Sequence, residues 1–239
     1  MGGFLRFAGW FALLLAAFVL IVLPLLLSPL LTAMVREMGL RSQTLDVSVA
    51  MLDPSLVFGR SRSVSLVAAN VDVPPARIGH LQLTLGEASY FDRSFESVAG
   101  ELREVSVAYG RDELSASSIL VSGPAAAASI TARLSAGETE ALIRAAATRV
   151  GLSVESVRLS ESGLTVSLLG HEGDAGIRVR AGALLLEPQG TGPVVLIQSA
   201  PADPWSLTES WISDRGLNIA GTVDMTRLVR SLSATETAP

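Results

Sequence analysis

At 239 residues the chain has room for one sizeable domain and an appendage. Hydrophobic residues make up 49%, charged residues 17% and aromatics only 5%. The 18 basic residues, all arginine, face 23 acidic ones for a net charge of -5, the wrong sign for phosphate neutralisation, so nucleic acid is excluded as a partner. Cysteine is absent, which rules out disulfides, thiol nucleophiles and cysteine-bound zinc.

The first predicted element is apolar. No charge interrupts Phe7 to Val35, and as a helix Phe7 to Leu27 would span about 31 Å, close to the hydrocarbon thickness of a bilayer. Trp10 suits the interface, and Pro24 and Pro29 would kink or end the helix toward its far side. A cleaved leader is the rival reading, but a cut after Ala33 would put Leu31 where a small residue belongs. The expectation is an uncleaved signal-anchor, single-pass in the cytoplasmic membrane, with the main domain on the extracytoplasmic side. Residues 1–40 form the anchor and juxtamembrane segment, 41–232 one domain and 233–239 a loose polar tail.

Alternation then takes over. Leu45, Val47, Val49 and Met51 share one phase, while Val64 and Leu66 oppose Val71 and Val73, which predicts a bulge between them. Leu81, Leu83 and Leu85 alternate with Gln82, Thr84 and Gly86, and Val105, Val107 and Tyr109 repeat the pattern. Ser115 to Gly123 and Ala128 to Ser135 are further strands. One segment has helical period: Ser135 and Glu138 form a capping box, Leu142, Ile143, Ala146, Ala147 and Val150 make a stripe, and Gly151 supplies the stop. Strands return in "LSVESVRL", "GLTVSLLG", "IRVRAGALLLEP" and "VVLIQ", with turns predicted at Glu161 to Gly163 and His171 to Gly176. "DPWSLTESWISDRG" reads as a short helix from Pro204 with Asp203 as its cap, "LNIAGTVDM" as a last strand and "MTRLVRSL" as a closing helical turn or two. The fold class is α+β, dominated by antiparallel strands.

Catalytic equipment is sparse, and no enzyme is expected. There is no G-x-S-x-G elbow, and "GTGP" at Gly190 to Pro193 lacks the third glycine or lysine of a phosphate loop. His80 reads as a solvated strand residue. His171, with Glu172 and Asp174, reads as part of a hairpin turn rather than a metal site. No catalytic residue, cofactor or metal is assigned.

Such a sheet with one short helix leaves apolar strand surface to be covered, either by an ordinary closed core or by something apolar that is not protein. The order of "LVFGRSRSVSLVAANVDV", "ARIGHLQLTLGEASY", "ITARLSAGETEALIRAA", "VRLSESGLTVSL", "GIRVRAGALLLEP" and "RGLNIAGTVDM" resembles the bacterial LmeA-type phospholipid-binding proteins over roughly Leu45 to Leu228. The resemblance implies a tubular lipid-binding domain related to the bactericidal/permeability-increasing fold, in which a strongly twisted antiparallel sheet wraps a short amphipathic helix and leaves a groove for a lipid tail. It also implies a place in envelope lipid or glycolipid metabolism, with membrane phospholipid as the partner. Many such proteins carry a cleavable leader, whereas here the apolar run reads as retained. The residues expected to line a groove are Leu81, Leu83, Leu85, Val105, Val107, Leu142, Ile143, Ala146, Leu164, Val166, Leu168, Ile177 and Val179. Trp205 and Trp211 are expected to dock its mouth at the membrane interface, and Arg178 and Arg180 share the outward phase of one strand. The alternative is a non-catalytic structural or assembly domain of the envelope, with a closed core and a protein partner.

Overall fold

The computed structural model describes residues 42–49, 54–73, 76–89, 91–92, 94–109, 112–160, 163–168, 171–190, 192–213 and 216–228. The expected anchor and the expected tail lie outside the described residues. Among the described residues no helix is long and apolar enough to cross a membrane.

The chain is mostly antiparallel sheet, with one sheet curled into a half-barrel and few helices. That sheet begins with β1 (Thr44–Val49), β2 (Arg60–Val73), β3 (Ala76–Ser89), β4 (Ser97–Tyr109), β5 (Asp112–Pro124) and β6 (Ala128–Leu134), each paired with its predecessor. The last two strands of the chain, β12 (Trp205–Ser213) and β13 (Gly216–Val223), complete it on the far side of β6. Valine and leucine at alternate positions make the long strands and give each one apolar face.

The predicted phase change in β2 is present, but it is not a register slip. Ladder pairs run Ala69↔His80 then Val71↔Ile78, His80↔Arg103 then Ile78↔Val105, and Arg103↔Ser118 then Val105↔Ala116. Asn70, Gly79, Glu104 and Ser117 are therefore stepped over along one rung of four strands. Asn70 and Glu104 have left-handed backbones, φ 51° and 53°, and asparagine is among the residues that tolerate this conformation best. Because the neighbouring strands all flip on the same rung, the apolar face stays continuous across it. β3 and β4 come close at Gly100, where a Cβ would lie 2.8 Å from the Leu83 Cα.

The second sheet has the order β11 (Val194–Gln198), β10 (Ala183–Pro188), β9 (His171–Arg180), β8 (Gly163–Leu168), β7 (Val154–Ser160). Three readings from sequence are corrected here. The run His171 to Gly176 is strand, not turn: Leu168 pairs with His171 and Leu164 with Ala175, so Gly173 and Ala175 take the inward phase as small residues while Glu172 and Asp174 face out. "IRVRAGALLLEP" is two strands, folded at Ala181 and Gly182, whose positive φ values of 49° and 75° suit a two-residue hairpin. The tryptophan stretch is β12, a strand, and not a helix from Pro204. A register shift between Leu207 and Glu209 breaks its alternation, and Asp203, instead of capping a helix, accepts the Ala200 N–H at 2.7 Å.

The helix is where the sequence places it, as α1 (Ala136–Arg149). Its Leu142, Ile143, Ala146 and Ala147 enter one core with Val154, Leu164 and Val166 of the five-stranded sheet and with Leu134, Leu217 and Ile219 of the half-barrel. Val150, expected on the stripe, is exposed at the C-cap, while Gly151 takes φ +75° beyond it.

Candidate functional site

The half-barrel carries one apolar face. Three ladder rows carry it: Val49, Val64, Leu85 and Val98; Val47, Leu66, Leu83, Gly100 and Val121; Leu45, Ala68, Leu81, Leu102 and Ile119. Beyond the stepped rung it continues through Val71, Ile78, Val105 and Ala116, then Val73, Ala76, Val107 and Leu114. Small or β-branched members such as Val64, Ala68 and Val98 are buried, whereas Leu66, Leu83, Leu85, Leu102 and Ile119 are only half-buried. The result is an apolar band, referred to below as the trough, in which half-buried leucines on β2 and β3 lie between buried positions such as Val47 and Val121.

The expected groove residues divide between two places. Leu81, Leu83, Leu85, Val105 and Val107 lie on the trough. Leu142, Ile143, Ala146, Leu164, Val166 and Ile177 belong instead to the core around α1, with Val179 packed against it. That core is filled by protein: Ile143, Leu184, Leu196 and Leu217 are completely buried. Leu168 is located by its backbone pairing with His171. The two tryptophans also part company. Trp205 is half-buried and packs against the cluster of Val98, Val121, Ala128 and Val223 at one end of the trough, while Trp211 is exposed and pairs with Asn218, whose buried amide oxygen accepts from Arg133.

The polar groups are mostly engaged with one another. Arg180 lies 3.2 Å and Arg178 3.9 Å from the Glu187 carboxylate, and Arg158 lies 3.6 Å from Glu172. Exposed His80 is 4.0 Å from Glu104. Among the described residues no cluster of three or more metal-ligating side chains occurs. A polar surface cleft of about 430 Å³ lies where the loop before β12 meets the end of β13, lined by Asp203, Trp205, Asp224 and Arg227. Another, of about 520 Å³, lies between Glu104, Ser117 and Glu138.

Three carboxylates have lowered pKa values: Glu101, held down by the Arg103 guanidinium at 2.7 Å, and Glu138 and Asp224. Burial pushes Glu138 up, but bonds from the Ser117 hydroxyl at 2.5 Å and the Ser135 N–H at 2.6 Å outweigh it. Asp224 is held down by the Thr226 hydroxyl at 2.6 Å and the Arg227 N–H at 2.9 Å. It thereby caps the closing helical turn, which brings Met225 and Leu228 onto the trough end beside Val98 and Val223. Sequence reasoning missed this cap, although Asp224 directly precedes the predicted turn, and it missed the trough positions Ile119, Leu66 and Leu102, the last two although their ladder partners Leu83 and Leu81 were identified.

No family model, curated protein or solved structure matches the chain.

Proposed function

We propose that this chain is a membrane-tethered, extracytoplasmic phospholipid-binding protein that holds or shuttles acyl chains along the apolar face of the half-barrel, without catalysis. The observation that carries this reading is the trough: a continuous aliphatic band in which Leu66, Leu83, Leu85 and Leu102 remain half-buried. From Val64 to Val73 the band runs about 30 Å at 3.3 Å per residue, against about 15 Å for one leaflet of a hydrocarbon core about 30 Å thick. A 16-carbon chain laid along it would gain about 13 kcal/mol gross at about 0.8 kcal/mol per CH₂, and leaving the bilayer would cost nearly as much. A near-zero balance suits pick-up and release. The ordered likeness to LmeA-type proteins and the apolar run Phe7 to Val35 support the same reading.

Native mass spectrometry of the full chain transferred out of detergent, followed by lipid extraction, tests it. Phospholipid retained at about one molecule per chain is the expected result. A second reading, a tethered structural domain of the envelope, is favoured by the filled core around Ile143, and lipid-free protein with a captured partner would select it.

A further inference from the structure

Phe58 and Phe91 are the most exposed large apolar side chains described, at 76% and 80%, in a chain that has only seven phenylalanines. They come from different turns that the pairing of β2 with β3 brings to one end of the sheet. Phe58 ends the 3-10 turn Pro54–Phe58 ahead of β2, and Phe91 follows β3, whose Ser89 pairs with Arg60. The Phe91 ring lies in the space that a Cβ at Gly59 would need, so glycine at 59 is what lets this ring rest there. At this same end of the half-barrel Phe95 packs beneath, bridging the Val98 and Val64 clusters, and Trp205 pairs with Val223 beside Met225. The mouth of the trough is thus rimmed by rings, two of them standing in water.

We propose that this tip is a membrane-docking edge, inserted into the interface of a lipid bilayer so that the trough opens onto the lipid. Two protruding rings offer about 300 Å² of apolar surface between them, from the 150–250 Å² that an aromatic residue buries. A stable second copy needs about 800 Å² per partner, whereas a bilayer asks for no complementary shape and takes aromatic rings at its interface. The charges around the two rings in the sequence are balanced, Arg60, Arg62 and Arg93 against Glu87, Asp92 and Glu96, so contact is driven by the rings. It therefore requires no anionic lipid and is insensitive to salt. The docking edge does not depend on a lipid lying in the trough.

Because the chain has no cysteine, a single nitroxide can be placed anywhere in it. The full chain is reconstituted into phosphatidylcholine vesicles with labels at Phe58→Cys or Phe91→Cys, and with Leu120→Cys and Val195→Cys as exposed controls elsewhere. The expected result is a ratio of oxygen to water-soluble nickel-chelate accessibility several-fold higher at 58 and 91 than at 120 and 195, unchanged by high salt. Equal water access at all four positions overturns the proposal. So does shielding of 58 and 91 from both relaxants, the mark of a protein partner. Lipid retention by mass spectrometry is read on the same samples: docked rings without retained lipid sink the trough reading alone, and retained lipid with water-exposed rings sinks the docking edge alone.

Discussion

Ser135 and Glu138 close the start of α1 reciprocally: the Ser135 Oγ accepts the Glu138 N–H at 3.3 Å, and the Glu138 carboxylate accepts the Ser135 N–H. The same carboxylate also takes the Ser117 hydroxyl, tying the helix start to β5 just where β6 gives way to the helix. Replacing Ser135 by alanine should cost about 1 kcal/mol, as capping substitutions do. For Glu138 the sign of the pH dependence follows from its depressed native pKa. Its stabilising contribution is complete above the ordinary carboxylate pKa and disappears as pH falls through the lower native value. Thermal unfolding of Glu138→Ala beside the parent should therefore show its largest deficit near neutral pH and a vanishing one in strong acid. A deficit that does not change with pH would mean that the ionised carboxylate contributes nothing.

Among the strands, β3 and β4 approach closely at Gly100, where a side chain would run into the Gln82 and Leu83 backbone. Gly100→Val should force this part of the sheet open and cost more than about 2 kcal/mol, measurable by denaturant unfolding, although valine is otherwise the better strand former. Elements such as β3 and α1 were legible in the sequence because one period governs a long stretch of each: Leu81, Leu83 and Leu85 at spacing two, Leu142, Ile143 and Ala146 at helical spacing. The flip at Asn70 was legible as opposed phases but not as an unbroken ladder, since a sequence does not say that the adjoining strands turn over on the same rung. β12 was misread because its register shift destroys the alternation that identifies a strand, and because Asp203 and Pro204 imitate a helix start. β9 was misread because its inward phase is filled by Gly173 and Ala175, so that only the polar outward residues stood out. Side chains on the trough and in the filled core look alike in sequence; what separates them is whether the helix packs over them.

At the scale of the whole molecule, the helix-centred core and the trough share residues such as Ile119, which touches both, yet their demands differ. The core is closed around Ile143, so Ile143→Asn would bury a polar amide without a partner and should unfold the chain or lower its melting temperature sharply. Leu83 and Leu66 line the trough half-buried, and polar replacements there face a surface already partly open. If acyl chains occupy the trough, Leu66→Gln together with Leu83→Gln should reduce retained phospholipid several-fold while moving the melting temperature by no more than a few degrees. If the trough is merely a second closed core, the same pair should destabilise the fold in proportion to the apolar area lost and leave no lipid signal to change. Melting temperature and lipid content measured on one preparation thus distinguish a carrier from a building block.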